Sequence, residues 1–464
     1  MKMRVQPVHL VGDAWHVFPQ SNQKLGVTMS AQATAAAVAA LHAALRSAVT
    51  APAAFLDPVV VGNDLSRERF AELSRDADVV ILNTSCTIDP EVLAVGRPVI
   101  VFAGDRTPMM ALYSLPVGVR RNYPDLHFAL DYADVNALLA RLGMQQVVAR
   151  LRRSRMLILG EYRCFERLPE PARLLDRLGI ELQVLAGAGF LALAEQADEQ
   201  RVNEVCARWR DDALAVDEPD AEDLRSAARL FVTLHDYVQA NRFDAVSVGC
   251  LEIMYQHQRR PFCFVLATLR DMGLPAGCES DATATITMLI LECIAERPAY
   301  MGNLVLADPQ QNLVAISHGC SPRYMYGRDA APLPYRLVHS HSVPPFTHGP
   351  EGGSGLTSYV DYGQRGQPVT ICRISAQLDE FFVASGEIVD CRDTICDRTT
   401  LTVRVSDARA YAHQATGNHQ VLVYGDYVEQ IESFCALTGM RTIGPRAPRP
   451  DAAQVARGRS AAAS

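Results

Sequence analysis

The sequence predicts an α/β chain in which two Rossmann-like parallel-sheet domains precede a smaller β-rich C-terminal domain. Three observations carry that reading. Between Val8 and Cys278 short apolar runs alternate with helical patterns, as parallel strands joined by crossover helices do. The alternation restarts at Met156, just after a helix ending in the basic cluster Arg150, Arg152 and Arg153. Beyond His318 the helical patterns give way to strand-like runs with no repeated unit. These shifts divide the chain into residues 1–153, 154–296 and 297–444, with a tail at 445–464.

Taken in order, Val8–Gly12 reads as the first buried strand and Met29–Ala48 as an alanine-rich helix. Strand-like runs follow at Val59–Gly62, Val79–Asn83 and Val99–Gly104, with helical patterns at Ser66–Ser74 and Pro90–Val95. Polar residues at Asn83–Cys86 and Gly104–Arg106 then fall at strand carboxyl ends, where such folds bind ligands. Thr, Ser and Asp also supply ordinary βα turns. No G-x-G-x-x-G follows a strand, so a dinucleotide site has no support.

The first domain ends in a helix at Val135–Arg152; in the second, helices are expected at Glu170–Leu178 and Asp220–Asn241, and strands at Met156–Gly160, Ile180–Leu185 and Ala245–Val248. Pro169 and Pro219 stand just before two of these helices, where a missing N–H costs nothing. A helix spans Asp281–Glu296: Asp281 can cap it, Ile286, Leu289, Ile290 and Cys293 recur at helical spacing, and Arg297-Pro298 stops it. A hairpin turning at Asp308–Asn312 leads to His318. Arg336–His341 alternates as a strand and sets His339 and His341 on one face. After a long irregular loop through Pro344–Gly355 come antiparallel runs at Val369–Ile374, Phe381–Ser385, Glu387–Asp390, Leu401–Val405 and Val421–Tyr424, then a helix to Leu437. The Pro-, Arg- and Ala-rich tail has no apolar face to bury and is expected to be disordered.

Composition narrows the function classes. The 464 residues carry a net charge of −8 with a pI near 5.9, against the basic face a nucleic-acid partner needs. At 49% hydrophobic and 21% charged, the chain has the make-up of a globular protein. No apolar run is long enough for a membrane span, and Met1–Arg4 lacks the apolar core of an export signal. The 12 cysteines then read as reduced thiols, and the cytosol as the compartment.

Chemistry concentrates between Cys278 and Cys320. Glu279 sits just outside a helix N-terminus, where orphan N–H groups and the dipole favour an anion. The hairpin brings Asn303 and His318 to comparable depth, so a carboxylate, an amide and an imidazole share one frame that suits a hard metal ion. The same residues also read as a helix-cap anion (Glu279), a turn former (Asp308) and a strand-end histidine (His318). His339 and His341, two apart, could share a metal or a polyol, or simply occupy a half-exposed strand face.

The runs Cys278-Glu279-Ser280-Asp281, Leu289–Glu292, Arg297–Asn303 and His318-Gly319-Cys320, with Gly417-Asn418-His419 and Tyr424-Gly425-Asp426, resemble the L-fucose isomerase family, whose layout is similar to that of L-arabinose isomerases. The likeness covers Leu274–Ile443 by motif and the first half by layout. It implies a divalent ion, Mn²⁺ or similar, between domains, and aldose–ketose isomerisation of a small sugar or sugar acid through an enediol. It implies Glu279 as metal ligand and base, His419 as the distant ligand, and a homo-oligomer, trimer or hexamer. Asn303 stands where the family has an aspartate that is ligand and base, and an amide cannot take a proton at neutral pH. Asp308 is the candidate replacement ligand, and His318, His339, His341 and Asn418 are candidate substrate contacts. An epimerase or lyase, or a sugar-binding protein without turnover, are the alternatives.

Overall fold

A computed structural model of the chain describes residues 2–10, 31–62, 65–84, 89–102, 122–162, 168–251, 253, 262–339, 356–394 and 398–445. His341, the loop at 344–355 and residues 446–464 of the expected tail lie outside the described residues. The protein is α/β, with two parallel sheets followed by an antiparallel β-barrel, the class predicted from sequence. It divides into two compact units, Met1–Gln146 and Val147–Ser464.

In the first unit, β1 (Met3–Leu10), β2 (Ala53–Phe55), β3 (Val59–Val61), β4 (Val79–Thr84), β5 (Val99–Phe102) and β6 (Leu126–Ala129) form a parallel sheet. Its order is β2-β1-β4-β5-β6, with β3 also pairing β1. Successive residues of β4 are buried on opposite faces. Val79 and Ile81 cluster with Leu45, Val135 and Leu139, while Val80 and Leu82 cluster with Phe70 and Leu93. Coverage on both sides is why the strand reads as an unbroken apolar run. β1 starts at Met3 rather than Val8. Arg4, Gln6 and Pro7 hide it in the sequence, yet Gln6 is buried and satisfied, its Nε2 donating to the carbonyls of Pro7 and Asp57 at 3.0 and 2.7 Å.

The second unit holds β7 (Arg155–Leu159), β8 (Glu181–Leu185), β10 (Ala245–Val248) and β11 (Ala276–Cys278) in a parallel sheet of order β11-β10-β7-β8. A short strand, β9 (Ala215–Val216), joins β14 (Tyr335–His339) and β15 (Leu356–Val360) in a separate small sheet. Helices Gly187–Ala194, Glu199–Asp212 and Cys263–Asp271 were not predicted. Glu199–Asp212 shows why: half of its residues are charged and it buries only Val202, Val205 and Trp209, so its apolar stripe is thin.

The barrel is closed by β12 (Tyr300–Asp308), β13 (Leu313–His318), β16 (Pro368–Ile374), β17 (Glu380–Thr394), β18 (Arg398–Val405) and β19 (His419–Tyr424). The ring runs β16-β19-β12-β13-β18-β17 and back to β16, with β20 (Arg441–Ile443) added beside β17. Two short strands expected on either side of Gly386 are one long strand. Gly386 is there because a Cβ would stand 2.6 Å from the Arg404 carbonyl oxygen, and the strand bends at a register shift between Ile388 and Asp390.

Sheet and barrel meet along the helix Ala282–Ala295, which packs on β10 and β11 and on β16 and β19. The approach to β11 is close. A Cβ on Gly277 would fall 1.9 Å from Thr285 Oγ1, so only glycine admits the helix at this distance. The candidate site lies along this line of contact.

Candidate active site

The turn between β11 and the helix sets the first residue of the site. Glu279 and Ser280 are both left-handed, with φ of 58° and 56°. For non-glycine residues this costs about 1–2 kcal/mol each, and the surroundings hold it. The Ser280 N–H donates to the Val248 carbonyl at 3.1 Å, and its hydroxyl donates to the Glu161 carbonyl at 2.8 Å. The turn is thereby tied to the carboxyl ends of β10 and β7, and Glu279 stands at the sheet edge where ligands bind in such folds.

Asp281 caps the helix as its position in the sequence suggests, Oδ1 accepting the Ala284 N–H at 3.0 Å and the Thr283 hydroxyl at 2.8 Å. It does more than that. The side chain is fully buried, and its Oδ2 receives Arg373 Nη1 at 2.9 Å and His419 Nδ1 at 2.8 Å. Arg373, 2% exposed, also donates to the His419 carbonyl at 2.6 Å and to Thr283 Oγ1 at 2.8 Å. Burial pushes the Asp281 carboxyl up. The Arg373 charge and the His419 hydrogen bond, with the helix N–H, outweigh it and hold the group well below the usual carboxylate range.

The two site histidines consequently differ in chemistry. A carboxylate only accepts, so His419 Nδ1 carries the proton and Nε2 presents its lone pair. That Nε2 is buried, has no hydrogen-bond partner, and lies 3.7 Å from Glu279 Oε2. His318 is reversed. Its Nδ1 accepts the Cys320 N–H at 3.1 Å, which leaves the proton on Nε2. The two rings are 5.6 Å apart, and one donor atom each from Glu279, His318 and His419 lies within 4.8 Å of the others. A carboxylate oxygen and an unpartnered imidazole nitrogen, backed by a buried carboxylate on the far ring nitrogen, are a donor set that fits a divalent ion.

The remaining predicted residues divide. Asn303 is brought to the group: it lies opposite His419 in the β12–β19 ladder, and its side-chain Oδ1 accepts from Asn418 Nδ2 at 2.5 Å. Asp308 is not. It sits at the other end of β12, where Oδ1 accepts the Gln310 and Gln311 N–H groups at 2.9 and 3.1 Å and Oδ2 accepts Gln311 Nε2 at 2.8 Å. Five residues of strand separate it from Asn303, roughly 17 Å at about 3.4 Å per residue, so the turn has its carboxylate and the replacement-ligand expectation fails. His339 also stands outside the three-donor group, its Nε2 meeting Asp223 Oδ2 at 2.9 Å.

Asp281 as an orienting group and Arg373 were not foreseen. A signal for Arg373 existed, since it is the single charge in the apolar run Val369–Ile374. A separate cavity of about 360 Å³ is lined by Trp209, Asp271, Arg323, Arg328 and Tyr335 among others, but none of the three donors borders it. Its arginines Arg323 and Arg328 are engaged by Asp271 and Glu292. Among the described residues, no helix is long and apolar enough to cross a membrane.

No protein-family model matches the chain. It is similar to a sulfoquinovose isomerase of Priestia megaterium, 22% identical over 315 residues that cover 66% of this chain and 67% of the relative. A sulfoquinovose isomerase of a Clostridium species is 22% identical over 274 residues, 56% of this chain and 57% of that one. A third, from Alkalicoccus urumqiensis, is 20% identical over 339 residues, covering 70% and 73%.

Proposed function

We propose that this protein is a metal-dependent aldose–ketose isomerase acting on a small sugar, with sulfoquinovose the first substrate to try. The reading is carried by one observation: a buried Arg373–Asp281–His419 line leaves an imidazole lone pair facing Glu279. Glu279 and His419 would hold the ion, with the Asn303 oxygen beside them. When bound, Mn²⁺ or a similar ion supplies a Lewis acid for the sugar carbonyl.

The chain's own residues then have distinct tasks. Glu279 takes the proton from the carbon next to the carbonyl and returns it to the former carbonyl carbon, by way of an enediol. His318, with its proton on Nε2, donates to a sugar oxygen whose charge grows during the transfer. Asp281 keeps the His419 lone pair aimed, and Asn303 offers an oxygen but no proton-accepting group. Glu279 therefore works as a single base. Asn303 also gives weight to a second reading, in which a sugar is bound without turnover.

The deciding experiment follows deuterium wash-in beside the carbonyl of sulfoquinovose, pentoses and deoxyhexoses with Mn²⁺ present, in wild type and in Asn303→Asp. Wash-in in wild type, absent in Glu279→Gln, is expected. Asn303→Asp restores an acid–base group of a kind typically worth about 10²–10⁴-fold and should raise any slow exchange. Mn²⁺ binding without wash-in in either protein would establish the binding reading instead.

A further inference from the structure

Behind the Glu279 turn lies a cluster of sulfur that the isomerase reading does not use. Cys250 follows β10, Cys278 ends β11, Cys263 opens the helix Cys263–Asp271, and Cys320 lies just beyond His318; all four are buried. Cys250 Sγ is 3.0 Å from Cys278 Sγ, Cys278 also meets Cys320, and Cys320 meets Cys263. One donor atom each from Cys278, His318 and Cys320 falls within 4.8 Å of the others. The nitrogen of His318 turned to Cys320 is Nδ1, which accepts the Cys320 N–H at 3.1 Å. A lone buried cysteine needs no explanation beyond packing. Thiols converging from four segments beside an imidazole call for one.

We propose that Cys278, Cys320 and His318 form a second metal site for a thiophilic cation such as Zn²⁺, Nδ1 of His318 exchanging the Cys320 N–H for the ion and Cys250, 3.0 Å from Cys278, being drawn in as a fourth donor. A tetrahedral ion about 2.3 Å from sulfur and about 2.0 Å from nitrogen needs donors roughly 3.3–3.8 Å apart; the Cys278, His318 and Cys320 donors lie within 4.8 Å of one another, and Cys250 is 3.0 Å from Cys278. Three sulfurs and one imidazole are a common structural zinc set, and burial of every donor matches a closed structural site rather than an open catalytic one. Positive charge is already in place to balance thiolates. The buried Arg270 guanidinium donates to the carbonyls of Ala276 and Cys320 at 2.7 and 2.5 Å, beside two of the sulfur-bearing segments. The two donor sets also divide by softness: thiolates lie on the Nδ1 side of His318, and Glu279 with His419 forms the oxygen and nitrogen set. An ion on Nδ1 would lock the proton of His318 on Nε2.

The test uses the full-length protein, reduced and stripped of metal, titrated with Co²⁺ and with Cd²⁺. One equivalent should bind with intense thiolate-to-metal absorption. Cys278→Ser and Cys320→Ser should each lose that band and weaken Cd²⁺ by more than the roughly 10–100-fold that loss of an outer-shell partner costs. Glu279→Gln should retain the band while losing Mn²⁺, which separates this inference from the isomerase reading. Cadmium NMR of the wild type needs no variant: a resonance in the sulfur-rich range supports the site. A resonance in the oxygen and nitrogen range, no bound Cd²⁺, or a band that survives both serine variants would overturn it.

Discussion

In the first unit, Val79 to Leu82 bury both faces of β4 in two clusters of apolar side chains. In the second, the helix Ala282–Ala295 is just as buried, yet toward the barrel it meets Asp281, Thr283, Thr287, Arg373 and His419, linked by hydrogen bonds. A sheet held by apolar area tolerates small changes of shape. A buried ion pair contributes little net stability compared with apolar residues of the same volume, and breaking it is costly. Such a network therefore marks a place where geometry is kept for another purpose, here the aim of one imidazole.

The largest expected effect breaks the second region. Arg373→Leu leaves a buried carboxylate without its cation and should cost about 3–5 kcal/mol, read as faster hydrogen exchange across the helix Ala282–Ala295. Adding Asp281→Asn should recover part of that loss, because the stranded charge is gone. If Arg373→Leu costs under about 1 kcal/mol, the network does not hold this contact.

Next in size, Asp281→Asn alone removes the anion behind His419 and should weaken Mn²⁺ binding roughly 10–100-fold. Titration followed by Mn²⁺ spin resonance would measure it, and unchanged affinity would mean that the ring needs no carboxylate to stay aimed.

The smallest change sharpens the contrast from the other side. Ile81→Val in the apolar sheet should lower stability by about 0.5–1.5 kcal/mol, seen in urea unfolding, and leave Mn²⁺ affinity alone. A change in affinity there would show that the two units are energetically coupled.

What the sequence disclosed follows the same division. Runs such as Val79–Asn83 and Val99–Gly104 declared parallel strands because burial on both faces forces unbroken apolar stretches. Glu279 and His419 were legible through motifs at the ends of elements. Asp281 was half legible: its place before an apolar helix announces a cap, but nothing local announces partners 92 and 138 residues away. Asp308 misled for the converse reason. Five residues of sequence look near, while an extended strand carries them across the barrel. The strand through Gly386 was cut in two because glycine signals a turn unless the neighbouring backbone is known.

The separation between Asp281 and His419 has a consequence during synthesis. At about 5–20 residues per second a ribosome takes roughly 7–28 s to cover those residues. The parallel sheet and its helix can form early in that interval, but Asp281 lacks its arginine for the first 92 residues and its histidine until the end, and closing over it would strand a charge. The emerging chain thus has reason to leave the Glu279 turn open until β19 is made. A nascent chain arrested before Tyr424 should therefore expose the start of the Ala282–Ala295 helix to proteases that the finished protein resists.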